Sequence, residues 1–295
     1  MSHPVFTKRL IQKGTWVISG EGCERYLLEG DDEAIMIDSG NSTHDIRAFA
    51  STLTDLPLTK VINTHSHFDH TGGNGFFETA ITTVGVARSA KNTMSSRREN
   101  YPMDYPFTHV KDGDIIPLAG RPLHIIGLNC HSPDDIAVLD PTGRLLFTGD
   151  EVEAGQVLLL PGYAEQPGQI HAAPAGSVET CLNAMRKLKS FGDQFDALCP
   201  GHNGSPIDPC YLDWFIQLCQ NILDGQEGNP DCSSPSYSHR MGHFPFPTAN
   251  YRRGEYKGAS LVYCADLLWD SDYAKADQLL PATPLHITSS YFVAP

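Results

Sequence analysis

The chain has 295 residues, with 21 lysines and arginines against 35 aspartates and glutamates. The resulting formal charge of −14 disfavours a broad surface for nucleic acid or anionic membrane, although a local basic pocket stays possible. With 40% hydrophobic and 19% charged residues, the composition is that of a globular protein able to build a sizeable core, which argues against disorder as a whole.

The length suits one domain with an embellished C-terminus, read here as a catalytic domain over 1–225 and an extension over 226–295 that packs on it and contributes to the substrate cleft. The opening "MSHPVFTKRLIQKGTW" lacks an apolar core of signal-peptide length. No later segment approaches the ~20 apolar residues of a membrane span, so a cytoplasmic location is expected. Cys23, Cys130, Cys181, Cys199, Cys210, Cys219, Cys232 and Cys264 form no CxxC pair, and several lie in apolar runs. Buried free thiols are expected rather than disulfides.

In chain order, "TWVISG", "ERYLLEG" and "EAIMIDSG" read as a strand meander with Gly-rich turns. The segment "THDIRAFASTLTD" has helical spacing through Ile46, Phe49 and Leu53, Pro57 breaks it, and "KVIN" restarts a strand. After two glycines, "NGFFETA" suits a short helix and "TTVGVA" another strand. Arg88 to His109 is polar and rich in Arg, Met and Tyr, and reads as a surface insertion. Two hairpins follow, one turning at Ala119-Gly120-Arg121 and one over Pro141 to Arg144. A helix over "SVETCLNAMRKLKSF", a short strand in "ALCPGHNG" and the helix-like "PCYLDWFIQLCQNILDG" complete the pattern. Strands and helices recur in two groups, consistent with two sheets packed face to face and helices outside.

The stretch between "KVIN" and the glycines is "THSHFDHTGG". An extended segment would point His65, His67 and Asp69 to one side. If the chain turns helical at Phe68, Asp69 and His70 swing toward a second point, and the cluster can hold two cations. Imidazole nitrogens and carboxylate oxygens suit Zn²⁺, with Mn²⁺ or Fe tolerated. So many adjacent imidazoles have no packing rationale. Three further polar residues sit after strands and before turns: His131 in "NCHSPDD", Asp150 in "LLFTGD" and His202 in "LCPGHNG". Taken singly, each also has a structural reading, as a packed histidine or as a turn or cap aspartate.

Together, "THSHFDHTGG", "CHSPDD", "FTGD" and "CPGHNG", with Asp38 in "MIDSG", resemble the metallo-β-lactamase superfamily across about residues 15 to 205. The resemblance implies a four-layer αββα sandwich with a metal cleft at one edge of the two sheets. It implies that His65, His67 and His131 bind one metal, that Asp69, His70 and His202 bind the other, and that Asp150 bridges them. Two divalent ions, zinc first, would then deliver a hydroxide without a side-chain base, with Asp69 as ligand and as proton carrier to the leaving group. β-Lactamases of this type replace the bridging Asp by Cys or Ser, so Asp150 points to the branch resembling glyoxalase II, lactonases and acyl-CoA thioesterases. The expected activity is hydrolysis of an activated acyl bond, a thioester or a lactone. The competing readings are a phosphodiesterase of the same fold, a β-lactam hydrolase, an iron-dependent oxidative enzyme and a noncatalytic metal-binding module.

The pattern departs from the family at "HSPDD", where Asp134 and Asp135 either orient a ligand imidazole or serve as turn residues. On substrate, the one hint is Tyr251, Arg252, Arg253 and Lys257, a basic aromatic patch on an acidic chain. It could hold the anionic group of a small-molecule substrate, or it could be a solvated turn leading into "ASLVYCADLLW". Tyr101, Tyr105, Tyr163, Phe244 and Phe246 could roof an acyl pocket or pack in a core. Nothing in the sequence sets an oligomeric state.

Overall fold

The computed structural model describes residues 5–41, 44–87, 90, 105–159, 162–163, 170–171, 176–230 and 250–272. The chain divides into two compact units, one of residues 1–128, 134–149 and 193–208, the other of 129–133, 150–192 and 209–295.

In the first unit, strands β1 (Thr7–Gln12), β2 (Thr15–Gly20), β3 (Cys23–Glu29), β4 (Ala34–Ile37), β5 (Leu58–Ile62), β6 (Thr79–Thr82) and β7 (Phe107–His109) form one sheet in sequence order. The first four are an antiparallel meander, and β4 to β7 run parallel. Parallel neighbours need a crossover. Helix α1 (Ile46–Ala50) lies in the first crossover, capped by the Asp45 carboxylate, which accepts the Ala48 N–H. It is shorter than the spacing of apolar residues suggests. Ser51 caps it, and the Thr52 hydroxyl bonds back to the Phe49 carbonyl, offering the backbone an alternative to further helix. The next crossover holds α2 (Phe68–Thr71) and a single 3₁₀ turn, Asn74–Phe76.

The strand expected over "TTVGVA" stops at Thr82, and residues 84–87 are helical. The cause is local: the Thr83 hydroxyl accepts the Val86 N–H and starts a helical turn.

A second sheet begins with β8 (Ile115–Ile116), β9 (Leu123–Gly127), β10 (Ile136–Asp140) and β11 (Leu145–Gly149), joined by the two expected hairpins. The chain then gives β12 (Val157–Leu158), β13 (Gly162–Tyr163), β14 (Ile170–His171) and helix α3 (Val178–Lys189) to the second unit. After that, β15 (Ala197–Pro200) pairs parallel with β11. The two sheets of the first unit share one core. Val17, Tyr26, Ile35 and Ile62 of one meet Ile125, Val138, Leu145 and Phe147 of the other. The Tyr26 and Phe147 rings stack edge to face at 4.9 Å, and removing such a buried ring costs about 3–5 kcal/mol. On the outer face of the first sheet, Ile18, Leu27 and Met36 pack with Ile46 and Ala50 of α1.

The second unit contains α3, α4 (Cys210–Leu223), β16 (Tyr251–Tyr256) and β17 (Ala259–Cys264). Val178, Cys181, Leu182, Met185 and Leu188 bury one side of α3, which packs on α4. β17, buried along its length, lies between β12 and β16. Helix α4, which ends before residue 225, therefore shares a compact unit with strands that follow it. The described cysteines are free thiols, all buried except Cys210. Burial pushes the Cys199 thiol up to about 12. No described helix is long and apolar enough to cross a membrane.

One ion pair ties the two sheets of the first unit at the end where β4 begins. Arg121 donates to Asp140 through Nε (2.8 Å) and Nη2 (2.6 Å), to the Gly14 carbonyl (2.7 Å) and to the Thr15 hydroxyl (2.5 Å). Asp140 is fully buried. Arg121→Met leaves that carboxylate without its counter-charge, so urea denaturation should show a loss of roughly 3–5 kcal/mol, most of it recovered when Asp140→Leu is added. A single variant within about 1 kcal/mol of wild type would show that the pair carries little of the sandwich.

Candidate metal centre

β5 ends at Ile62, and the chain passes through Asn63 to His67 before α2 begins at Phe68. His67 is the extended N-cap residue of that short helix. The change from extended to helical backbone turns Asp69 and His70 toward His202. His70 Nε2 lies 3.2 Å from His202 Nε2, and Asp69 Oδ2 lies 3.3 Å from His202 Nε2 and 3.8 Å from His70 Nε2. These three side chains could hold a metal, each offering one ligand atom within 4.8 Å of the others. The His65 ring sits edge to face with that of His67 at 4.7 Å and lies 4.1 Å from that of His70. His65 and His70 are buried; His67, Asp69 and His202 are half-buried.

Asp38 sets the tautomers. It follows β4 with φ +59°, a conformation that aspartate tolerates better than most residues, and it is buried. Its Oδ1 accepts the Thr64 N–H (2.9 Å), and its Oδ2 accepts the Thr64 hydroxyl (2.9 Å) and lies 2.8 Å from His70 Nδ1. A carboxylate can only accept there, so His70 carries its proton on Nδ1 and presents a lone pair at Nε2. The Thr64 hydroxyl has given its one proton to Asp38. It therefore accepts from His65 Nδ1, 3.0 Å away, which leaves the lone pair of His65 on Nε2 as well. Imidazoles that present Nε2 lone pairs suit a divalent cation with nitrogen and oxygen ligands.

Glycines make room for this arrangement. At Gly149 (φ +51°), a Cβ would fall 2.5 Å from the Thr64 hydroxyl oxygen, so a side chain there would displace the residue that orients His65. Gly73 matters through close approach rather than an unusual φ, since its Cβ would lie 2.4 Å from the Ser39 carbonyl.

Some supporting residues escaped the sequence reading. Asn63 and Asn74 bond to each other, and Ser39 donates to Asn74; Asn63 also holds the His70 carbonyl at 3.1 Å. The polar residues ending "VIN" and following "TGG" were the available signal. The Cys23 thiol reaches the Asp69 carbonyl at 2.8 Å, and burial pushes that thiol up from its ordinary value. Tyr105 packs in the core beneath α1, with its hydroxyl 3.4 Å from Asn74. Tyr163 lies on β13; Tyr101, Phe244 and Phe246 lie outside the described residues.

In the second unit, His131 Nε2 stands 3.6 Å from Asp150 Oδ2. His131 Nδ1 lies 2.9 Å from the Leu158 carbonyl, which can only accept, so this ring too presents a lone pair at Nε2. Asp134 belongs to the first unit, is exposed, and has φ +63°. Its carboxylate lies against Gly85, where a Cβ would meet it, and its carbonyl accepts the Thr83 hydroxyl. Asp135 is buried, and its carbonyl accepts the Leu128 N–H.

The basic aromatic patch is a strand rather than a solvated turn. Tyr251, Arg252 and Arg253 lie on β16, paired with Cys264, Tyr263 and Val262. Tyr251 is buried, and Arg253 Nη2 meets Glu255 at 3.2 Å. Lys257 occupies the turn to β17, with its ammonium over the rings of Trp214 (5.8 Å) and Tyr256 (5.5 Å).

The family model of the metallo-beta-lactamase superfamily matches residues 22–202, more than half of the chain. The sequence is 28% identical over 219 residues to the hydroxyacylglutathione hydrolase of Hydrogenovibrio crunogenus, covering 70% of this chain and 69% of that protein. It is 25% identical over 173 residues to the acyl-coenzyme A thioesterase MBLAC2 of Bos taurus, covering 48% of this chain and 62% of that one, less than two thirds of its length. Among solved structures, a metallo-beta-lactamase from Pontibacter korlensis superposes with a TM-score of 0.55 at 19% identity over 73% of this chain and 99% of that chain, a likeness of fold alone. With its facing sheets and clustered His and Asp side chains, the chain belongs to the metallo-β-lactamase superfamily, has its αββα fold, and is at family level a hydrolase.

Proposed function

We propose that the protein is a dinuclear metal hydrolase that cleaves an activated acyl bond of a small molecule, a thioester before a lactone. The observation that carries this reading is the convergence of Asp69 Oδ2, His70 Nε2 and His202 Nε2, with His70 held in the ligating tautomer by Asp38. The relatives support the bond class, one being a hydrolase of a hydroxyacylglutathione and the other a thioesterase of acyl-coenzyme A.

In this reading His65, His67 and His131 would hold one ion, Asp69, His70 and His202 would hold the other, and Asp150 would be shared by the two. Zinc suits the nitrogen and oxygen donors best, with manganese or iron tolerated. Such a pair supplies a water of depressed pKa and polarises the attacked carbonyl. Asp69, half-buried and at the start of α2, takes up a proton and delivers it to the leaving group. Asp38 keeps His70 from turning. Arg252 and Arg253 on β16 take an anionic end of the substrate, while Lys257 secures the hairpin to α4 through Trp214.

Purified, metal-loaded protein should turn over acyl-thioesters, more slowly lactones, and leave β-lactams and bis-nitrophenyl phosphate nearly untouched. Phosphodiester turnover without acyl hydrolysis would replace the proposal with a phosphodiesterase. Less than one bound metal per chain after metal-replete purification would remove the metal mechanism altogether.

Three substitutions separate the roles. Asp69→Asn should lower kcat by roughly 10²- to 10⁴-fold with a smaller effect on metal content, because it loses the proton carrier. Asp150→Ala should lower metal content and rate together. Arg252→Ala should raise KM for an anionic substrate and leave kcat and metal content near wild type. Steady-state kinetics with metal analysis of each variant decides among these roles, and near wild-type turnover in Asp69→Asn would rule out the proton role.

A further inference from the structure

The segment that follows β11 reads Asp150-Glu151-Val152-Glu153, and all four residues are buried. Buried carboxylates are costly unless they find donors. Glu151 finds backbone donors from a distant stretch of chain: its Oε1 accepts the N–H of Cys130 at 3.1 Å and that of His131 at 3.0 Å. One oxygen thus ties the loop carrying His131 to the segment carrying Asp150, within one compact unit. The loop has two further fixed points. Gly176 donates to the Cys130 carbonyl at 2.7 Å, and the His131 ring is anchored on Leu158.

We infer that Glu151 is a positioning residue for the metal site: by holding the two amides, it fixes the backbone of His131 so that Nε2 faces Asp150. Without that acceptor, two amides in a buried loop lose their partner, and the loop relaxes to satisfy them elsewhere. The ring then turns away from Asp150, although both ligand side chains are intact. The need is for an acceptor oxygen at this reach rather than for charge. A glutamine at 151 keeps an oxygen there, an aspartate keeps the charge but falls one methylene short, and an alanine keeps neither.

This assignment rests on the reading of His131 and Asp150 as ligands, so its test has two readouts. The first is amide hydrogen exchange at Cys130 and His131 in metal-free protein; the second is zinc affinity by chelator competition, resolved into its two equivalents. Glu151→Ala and Glu151→Asp should lose protection at both amides and weaken one zinc equivalent by roughly 10- to 100-fold, leaving the other in place. Glu151→Gln should keep protection and stay within about threefold of wild type in both equivalents. A merely structural role would instead lower the melting temperature of metal-free protein and leave the two zinc equivalents unseparated.

If Glu151→Ala does not fold, the other two variants decide: tight zinc in Glu151→Gln with weak zinc in Glu151→Asp supports the inference, and the reverse order overturns it in favour of a charge effect. Wild-type zinc constants in Glu151→Ala also overturn it. A wild-type protein with protected amides and no zinc uptake places the failure in the metal reading itself, and the positioning role falls with it.

Discussion

A single buried carboxylate, Asp38, orders the cluster of histidines in the first unit. It accepts three hydrogen bonds, two from Thr64 and one from His70. Through them it fixes the proton on His70 and, by taking the Thr64 proton, indirectly fixes that on His65 as well. Charge-assisted bonds of this kind are short and directional, and they compensate a carboxylate for lost hydration. The left-handed backbone at Asp38 and the absence of a side chain at Gly149 are the local conditions that let the three groups meet.

Those conditions depend on a rigid frame. Asp38 stands at the end of β4 and Thr64 just beyond β5, and these strands are parallel neighbours in a sheet whose inner face is filled by a close-packed core. In such a core, shifts of an ångström are expensive, so loops leaving adjacent strand ends keep their spacing. At the other end of β4, the Arg121–Asp140 pair closes the sandwich with its own buried charges. Separating that pair from the clustered histidines lets the frame be stabilised without perturbing them.

Buried acids recur around the candidate ligands. Asp38 accepts from a histidine and a threonine, and Glu151 accepts from two amides, yet both serve side chains with an imidazole nitrogen to present. The distinction is in what each holds: Asp38 sets the tautomer of a ring, while Glu151 sets the backbone beneath one. Both tasks belong to outer residues that make a ligand set precise.

The sequence by itself determined the strand meander, both hairpins, the long helices and the ligand candidates. Their signals are local: alternating apolar residues, turn glycines, and imidazoles dense enough to have no packing role. It overestimated α1, where the Thr52 hydroxyl bonds back to the Phe49 carbonyl, and it extended β6 past Thr83, where a hydroxyl starts a helical turn. It left Tyr105 between a roof over the substrate and a place in a core, and burial with Ile46, Ala50 and Phe77 places that ring in the core. Only the tertiary structure decided that Asp38 governs Thr64 and His70, that Glu151 reaches amides twenty residues away, and that Lys257 lies over Trp214. Such assignments depend on which strand ends and loops become neighbours. Spacing along the chain does not encode that proximity; the packing of sheets and helices creates it.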